Sequence, residues 1–362
     1  MIGSLLSSSI KKDAQRRAAT IRGSVMTNLL KVDHQRFLTR RATMAAMVSG
    51  AGLIGSSALA AECSIGAPAH TKGPVVWLDM DQVELDAAYD QSLYAPMADQ
   101  IAERRAANSE LIRKKFGAPL RISYGPTPVE TFDFFKASKP RAPIFVFIHG
   151  GAWLRGEARN FSDSAELFLN AGANYVAIDF VAIKAANGDL RVMADQVRRA
   201  VAAVYRKTAE LGADPNRFYI GGHSSGGHLC GVALVTDWAG EFGLPVDFIK
   251  GGLCMSGLYD MKPVRLSKRS EYIRFDDDME QKMSSLRYLD RLRTPIIVST
   301  GSFETPDFRR QTIDFAAAVK SAGKPVRLID ATGYNHYEMG ESLGHPFGPN
   351  GRAVLEMMGL TG

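Results

Sequence analysis

The stretch GGHSSGGH, residues 221–228, brings together side chains that could carry out chemistry. Its central residues, GHSSG, fit the pattern G-x-S-x-G, in which a tight turn between a strand and a helix projects one serine oxygen above a sheet. Glycines are needed in this turn because it leaves no room for side chains beside the serine. The register selects Ser224 as a nucleophile and makes the backbone N–H of Ser225 a candidate donor to a developing oxyanion.

A second motif, HGGAW, directly follows the apolar run IFVFI of residues 144–148. A glycine-rich loop at the end of an early strand exposes backbone N–H groups that side chains would otherwise obstruct. We therefore predict that Gly150, Gly151 and Ala152 form an oxyanion hole together with Ser225. Two independent motifs in the expected order favour acyl transfer over a chance match.

A serine nucleophile needs a general base, and the predicted base is His336. It lies in the segment ATGYNHYEMG after the apolar run VRLID, where a loop following the last strand can reach back to the serine. His345 is the alternative, although it lies farther along the chain and next to Pro346. Neither His223 nor His228 is expected to serve the serine, because the first points away from it and the second begins the next helix.

From Pro143 onward, short apolar runs alternate with segments whose apolar residues recur at helical spacing. Strands that alternate with crossover helices favour a mainly parallel sheet with helices on both faces. Residues 78–117 are expected to form helices before the sheet that could cap a site, and residues 118–135 an entry hairpin. The predicted strands are 144–148, 175–180, 217–222, 248–257, 295–301 and 326–330, and the predicted helices are 190–211, 228–239 and 309–323.

The motif HGGAW, taken together with GADPNRFYIGGHSSGGHL, resembles the α/β-hydrolase superfamily, on the branch of hormone-sensitive-lipase-like esterases and kynurenine formamidases. The resemblance covers most of residues 75–360. It implies an α/β-hydrolase fold with an N-terminal helical cap segment, and we expect residues 62–362 to form one domain of this kind. The acyl-transfer chemistry needs neither a metal nor a cofactor.

The resemblance also helps with the acid that should orient the histidine. In kynurenine formamidases, an acidic residue and one or two small residues precede a run of Pro, an acid, Phe, any residue, Arg and Gln. The segment TPDFRRQ, residues 305–311, is similar to that run and places Glu304 on the acid. Asp307 and Asp260 remain alternatives, because both also lie between the serine and the histidine in chain order.

The first 61 residues differ in composition from the rest of the chain. Residues 1–41 carry nine Lys and Arg against two Asp, which leaves the remainder close to neutral. A nearly neutral body argues against nucleic acid as a partner. The basic stretch precedes the small-residue apolar run of residues 43–63, with a possible cleavage site before Ala61, and this is the layout of an export signal.

Arg40-Arg41 directly before this run suggests the twin-arginine route. We therefore expect residues 1–61 to be a leader, and the mature chain to be periplasmic or secreted without stable membrane insertion. A cytoplasmic location is the alternative if the leader is not functional. Either Met1 or Met26 could be the true start.

The three cysteines, Cys63, Cys230 and Cys254, show no metal-binding spacing. Cys230 and Cys254 lie in apolar surroundings and are expected to be buried free thiols. An oxidising compartment would permit a disulfide between two of the three, and the sequence leaves open which two.

These features together predict a serine hydrolase that cleaves a small carboxylic ester. The resemblance offers an alternative substrate, an aryl formamide such as N-formylkynurenine, but the export signal argues against it because tryptophan breakdown is usually intracellular. A non-catalytic ligand-binding homologue is a third hypothesis, disfavoured because a serine, an acid and a histidine are all present. Trp153, Tyr94 and Tyr337 are candidates to line an aromatic-tolerant substrate pocket, and the oligomeric state stays open.

Overall fold

The computed structural model describes residues 69–361, so the predicted leader at 1–61 and Cys63 lie outside the described residues. Its strands all belong to one sheet. The strands are β1 (Leu120–Ser123), β2 (Thr131–Phe135), β3 (Ala142–Ile148), β4 (Asn174–Ile178), β5 (Ala213–His223), β6 (Ile249–Met255), β7 (Ile296–Phe303) and β8 (Val326–Asn335).

The sheet has the order β1-β2-β4-β3-β5-β6-β7-β8. β1 and β2 pair antiparallel as a hairpin, and β2 is antiparallel to β4. All the remaining neighbours, from β4 through β8, are parallel. Parallel neighbours need crossover connections, and here those connections contain helices. The predicted parallel sheet with an entry hairpin is confirmed, and every predicted strand overlaps an observed one.

Helices precede the sheet and connect its strands, and 3₁₀ turns lie between several of them. No helix within the described range is long and apolar enough to cross a bilayer. The α-helices are α1 (Gln82–Ala87), α2 (Ala98–Phe116), α3 (Ala165–Ala171), α4 (Leu190–Arg206), α5 (Thr208–Leu211), α6 (Ser225–Leu234), α7 (Trp238–Phe242), α8 (Met261–Leu266), α9 (Asp277–Met283), α10 (Pro306–Ser321), α11 (His336–Glu341) and α12 (Pro349–Met357).

The core lies on both faces of the sheet because side chains alternate along each strand. In β3, Ile144, Val146 and Ile148 pack into one buried cluster together with residues of α4, α6 and α10. Phe145 and Phe147 pack into the other cluster, with residues of α3 and α12. Burial on both faces explains why the strand reads as a continuous apolar run. Two buried free thiols, Cys230 and Cys254, lie within this core, as expected for them.

The helix predicted over 190–211 is interrupted in the structure. α4 ends at Arg206, and Lys207 departs from helical geometry with φ −89° and ψ 1° before α5 begins. The hydroxyl of Thr208 donates to the carbonyl of Tyr205 at 2.8 Å, which satisfies one carbonyl that the helix end leaves open. The apolar spacing continues through the break, and therefore periodicity alone did not reveal it.

Candidate active site

Ser224 occupies the sharp turn between β5 and α6. β5 ends directly before it and α6 begins directly after it. Its φ of 59° and ψ of −125° are unusual for a residue that carries a side chain. A Cβ at Gly226 would lie only 2.1 Å from the carbonyl oxygen of Ile148, so glycine is required there. The strand–turn–helix geometry expected from the GHSSG pattern is present.

His336 lies within hydrogen-bond distance of Ser224. Its Nε2 is 2.8 Å from Ser224 Oγ, and its Nδ1 is 2.8 Å from Glu304 Oε2. All three side chains are buried. Because Nδ1–H donates to the carboxylate, Nε2 is left to accept the proton of the serine hydroxyl. The structure thus joins the predicted nucleophile, base and acid in one hydrogen-bonded chain.

The second carboxylate oxygen of Glu304 is held by several donors. Oε1 accepts from Ser256 Oγ at 2.6 Å, from the Gly301 N–H at 2.7 Å and from Thr300 Oγ1 at 3.3 Å. Ser256 is fully buried and adopts a positive φ of 51°. These bonds fix the orientation of the carboxylate toward the imidazole. The contact of Ser256 was not predicted from the sequence.

The loop after β3 lies beside the serine. A Cβ at Gly150 would be 3.0 Å from the Cβ of Ser224, and Ala152 adopts a left-handed φ of 56°. In the part of the chain that the structure describes, the N–H groups of Gly151, Ala152 and Ser225 donate to no protein acceptor. Unpartnered N–H groups of this kind are available to an oxygen of a ligand.

Trp153 lies in the core and not in the cavity beside the serine, contrary to the sequence prediction. Its side chain is 2% exposed, and Nε1 donates to Nδ1 of His228 at 3.2 Å. His228 in turn donates from Nε2 to the carbonyl of Met283 at 3.0 Å. Burial lowers the pKa of His228 to about 4, so the neutral ring can accept the indole proton. A left-handed φ of 62° accompanies this inward placement of Trp153.

His223 supports the base without touching the serine oxygen. Its Nε2–H donates to the backbone carbonyl of His336 at 2.8 Å, and the two rings lie 4.8 Å apart. Burial lowers the pKa of His223, and the nearby imidazole of His336 lowers it further. The neutral ring therefore helps to position the segment that carries His336, a contact that the sequence analysis missed.

A cavity of about 460 Å³ opens beside Ser224 and His336. This volume is typical of small-molecule sites. Tyr337 lines the cavity, whereas Tyr94 lies outside it and lines a separate cavity of about 450 Å³. The placement of Tyr94 in the pocket beside the serine is therefore not supported. The charged residues that line the cavity at the serine are Asp90, Asp99, Arg105, Arg155, Glu157 and Arg269.

The alternative acids and the alternative base have other contacts. The buried carboxylate of Asp307 accepts from the hydroxyl of Tyr89. Asp260 is the N-cap of α8, where its side chain accepts from a backbone N–H. Nδ1 of His345 accepts from the N–H of Phe347 at 3.2 Å. Within the described structure, none of the three is hydrogen-bonded to the serine or to His336.

The cap segment, residues 82–116, bonds directly to the loops that carry the acid and the base. Gln91 Nε2 donates to Thr305 Oγ1 at 3.2 Å, next to Glu304 in the chain. Arg104 on α2 donates to both carboxylate oxygens of Glu341 on α11, at 3.0 and 2.6 Å. His336 is the first residue of α11. The predicted cap therefore covers the site and is tied to it at two points.

Side chains able to ligate a metal come together at His70, Asp81 and Glu84, the only such group among residues 69–361. The two carboxylates already form the capping box of α1, in which each accepts from the backbone N–H of the other at 3.0 Å. The group does not line the cavity of the serine. Helix capping accounts for both acids.

Known proteins resemble this chain in sequence and in fold. The family model BD-FAE matches residues 133–250, which include both the HGGAW motif and the serine turn. A kynurenine formamidase from Danio rerio is 28% identical over 280 residues, which cover 74% of this chain and 93% of the relative. An isoprenylcysteine alpha-carbonyl methylesterase from Arabidopsis thaliana is 24% identical over 247 residues, which cover 60% of this chain and 56% of the relative.

Among solved structures, a candidate thioesterase from Silicibacter sp. TM1040 matches with a TM-score of 0.67 at 24% identity, over 76% of this chain and 99% of its own. This likeness shows the fold, in agreement with the sheet order and the helices on both faces. The chain has the α/β-hydrolase fold, and its relatives support a hydrolase similar to hormone-sensitive-lipase-like esterases and kynurenine formamidases.

Proposed function

We propose that this chain is a serine hydrolase that cleaves a small carboxylic ester through an acyl-enzyme on Ser224. The observation that carries the proposal is the hydrogen-bonded chain from Ser224 Oγ through His336 to Glu304, with both links at 2.8 Å. This chain opens onto a cavity of small-molecule size. A nucleophile, a base and an orienting acid in this arrangement are what acyl transfer requires.

In the first step, Ser224 Oγ attacks the ester carbonyl carbon while His336 Nε2 takes the hydroxyl proton. The carbonyl oxygen becomes an oxyanion, which the N–H groups of Gly151, Ala152 and Ser225 stabilise. The tetrahedral intermediate then collapses, the carbon–oxygen bond to the alcohol breaks, and the imidazolium returns the proton to the leaving oxygen. Glu304 stabilises the imidazolium and holds its Nδ1–H throughout.

In the second step, water replaces the alcohol. His336 Nε2 removes one water proton, and the resulting oxygen nucleophile attacks the acyl carbon. The second tetrahedral intermediate expels Ser224 Oγ, which recovers its proton from the imidazolium. The products are a carboxylic acid and an alcohol, and the chain returns to its starting state.

An aryl formamide is the second candidate substrate. The kynurenine formamidase relative favours it, because the similarity covers 93% of that protein. A formyl group would pass through the same two steps, with an arylamine as the leaving group. The esterase proposal is preferred because residues 1–61 have the composition of an export signal, whereas formylkynurenine chemistry is usually intracellular.

The test compares kcat/KM of the full chain on p-nitrophenyl acetate and on N-formylkynurenine, with Ser224→Ala as the control. The esterase proposal predicts that p-nitrophenyl acetate is turned over with the higher kcat/KM, and that Ser224→Ala lowers it by about 10⁴-fold or more. A strong preference for the formamide would replace the ester with the aryl formamide. Turnover of neither substrate, or turnover that survives Ser224→Ala, would favour a ligand-binding homologue.

We also propose that the chain is exported and that the leader is removed near Ala61. The support is the basic stretch followed by a small-residue apolar run. N-terminal sequencing of the protein recovered from the periplasm or the medium tests this proposal. A chain that stays in the cytoplasm with residues 1–61 attached would contradict it and would remove the main argument against the formamide.

A further inference from the structure

The guanidinium group of Arg105 has no hydrogen-bond acceptor among the residues that the structure describes. It lines the cavity of Ser224, and its buried Nε has no hydrogen-bond partner. Across residues 69–361, no carboxylate forms an ion pair or a hydrogen bond with this side chain. Arg105 is half-buried at the cavity, and this burial lowers the pKa of the guanidinium because part of its hydration is lost. A desolvated charge without a partner is costly, and an anion bound beside it would remove that cost.

A stack of rings links Arg105 to the predicted oxyanion loop. The guanidinium carbon lies 4.3 Å from the centre of the Phe161 ring. Phe161 is stacked on His149, with ring centres 5.4 Å apart and planes 15° apart. His149 immediately precedes Gly150, and its Nδ1–H donates to the carbonyl of that glycine at 2.9 Å. The cation is therefore held on a rigid support next to the reacting centre.

Asp163 and Glu341 act on Arg105 through their charges, but among the described residues neither forms an ion pair or a hydrogen bond with it. Glu341 already accepts from Nε and Nη2 of Arg104, at 3.0 and 2.6 Å. Burial raises the pKa of Asp163 to about 7, so this carboxyl carries only part of its charge near neutral pH. Arg155 adds a second positive charge close enough to oppose the protonation of Arg105.

Among the described residues, no other charged group that lines the cavity forms an ion pair with Arg105. Lys268 pairs with Asp90 at 2.9 Å. Asp99 and Glu157 are exposed, where water and salt screen their charges. Arg269 differs from Arg105, because its Nη1 and Nη2 donate to the hydroxyl of one tyrosine and the carbonyl of another.

We propose that the cavity prefers substrates that carry a carboxylate over neutral ones of similar shape, and that Arg105 binds this group while Ser224 attacks the acyl carbon. The inference rests on the proposed function, since it assigns a substrate class to that same cavity. Arg155 adds attraction from the exposed loop at the cavity, and Arg105 provides the half-buried contact. A planar guanidinium suits a carboxylate because it can donate two parallel hydrogen bonds.

The test uses two pairs of esters, each with an anionic member and a neutral member of similar shape. One pair, p-acetoxybenzoate and p-acetoxybenzamide, places the charge on the leaving group. The other pair, the p-nitrophenyl monoester of adipate and its neutral terminal amide, places the charge on the acyl group. The measured quantity is the ratio of kcat/KM for the anionic member to that for the neutral member, and the pair with the larger ratio identifies the side of the substrate that carries the carboxylate.

The variants are Arg105→Gln and Arg105→Lys, with Lys114→Gln as the control, because Lys114 is an exposed cation on the same helix that does not line the cavity. In the wild type we expect the ratio to exceed one for at least one pair. Arg105→Gln should lower that ratio by about tenfold or more, mainly through KM, because a charge-assisted hydrogen bond is lost. Arg105→Lys should recover part of the ratio, and Lys114→Gln should leave it unchanged.

A wild-type ratio at or below one for both pairs would overturn the inference, as would a ratio that Arg105→Gln does not change. If the neutral esters are still hydrolysed with dependence on Ser224, the proposed function stands although the inference fails. If no ester is hydrolysed, calorimetry of adipate and p-hydroxybenzoate on Ser224→Ala still tests the inference. There, the Kd of at least one anion should rise about tenfold when Arg105→Gln is added; equal Kd values with and without Arg105→Gln would refute it.

Discussion

The two sides of Ser224 differ in how completely their polar groups are satisfied. On the acid–base side, formed by His336, Glu304 and Ser256, both nitrogens of the imidazole and both oxygens of the carboxylate have partners at 2.6–2.8 Å. On the cavity side, the N–H groups of the predicted oxyanion loop and the guanidinium of Arg105 have no protein acceptor among the described residues.

This difference separates two tasks within one site. Saturated groups cannot reorient without losing hydrogen bonds, so the acid–base side holds one geometry before any ligand arrives. Unsatisfied buried donors gain free energy only when a ligand supplies an acceptor. We therefore assign the reaction type to the acid–base side and the choice of substrate to the cavity side.

The largest expected effect comes from Glu304→Gln. Ser256 and the Gly301 N–H donate to one side-chain oxygen, so the amide oxygen should stay there and the NH₂ group should face His336. Nδ1 must then accept, which moves the imidazole proton to Nε2 and blocks proton transfer from the serine. We expect kcat to fall about 10³- to 10⁴-fold. Asp260→Asn is the control; a similar loss there, with Glu304→Gln near wild type, would reassign the acid.

A smaller effect on the same side is expected from Ser256→Ala. The substitution removes the 2.6 Å donor from the carboxylate of Glu304 and touches no cavity residue. We expect kcat to fall about tenfold with little change in KM, because a hydrogen bond to a buried charged group is lost. Steady-state kinetics over a range of pH measure kcat and KM separately and so test this expectation. Ser123→Ala, on exposed β1, should leave both constants unchanged, and a change confined to KM in Ser256→Ala would argue against a positioning role.

Trp153→Phe tests the hydrogen bond between the loop after β3 and His228, on the cavity side of Ser224. It removes the indole N–H that donates to His228 and leaves a buried ring nitrogen without a donor. We expect the free energy of unfolding in urea to fall by about 2 kcal/mol. Trp77→Phe is the matched control, because Nε1 of Trp77 has no hydrogen-bond partner. Equal losses in the two variants would show that ring volume, and not the bond to His228, is responsible.

The effect of Asp163→Asn is confined to stability and depends on pH. Burial raises the pKa of Asp163 from 3.8 to about 7 in the folded protein. Protonation therefore favours folding below about pH 4, and this contribution is lost as the pH rises through 7. The asparagine variant escapes the loss, so it should gain about 2.5 kcal/mol relative to wild type between pH 5 and pH 8, because each pH unit between 5 and 7 contributes about 1.4 kcal/mol.

Thermal or urea unfolding at the two pH values measures this gain. Asp247→Asn is the control, because Lys250 lowers the pKa of this exposed carboxyl and any effect has the opposite sign. A stability difference between Asp163→Asn and wild type that is independent of pH would contradict the raised pKa.

The parts of the site that follow short-range rules could be predicted from the sequence. The serine turn, the loop after β3 and the order of serine, acid and histidine depend on local glycines and on strand succession. The strands were visible because parallel strands buried on both faces are continuous apolar runs. Trp153 was misplaced because left-handed backbone at two successive residues turns the side chain into the core, and nothing in HGGAW specifies those dihedral angles.

The contacts that the sequence did not reveal join segments far apart in the chain. Ser256 reaches Glu304 only because β6 and β7 are neighbours in the sheet. Arg104 and Arg105 are adjacent on a helix rich in charges, and no pattern shows that one pairs with Glu341 while the other faces the cavity. Such assignments require the packing of α2 against α11.

The cap segment is bonded to the segments that carry Glu304 and His336, and this limits how the protein can be re-engineered. Gln91 bonds to the residue after Glu304, and Arg104 bonds to the helix that begins with His336. A cap taken from a relative would bring its own partners for these two loops. A change of substrate range through the cap therefore also affects the residues that carry out the reaction. A chimera that exchanges residues 82–116 must also exchange residues 304–311 and 336–341.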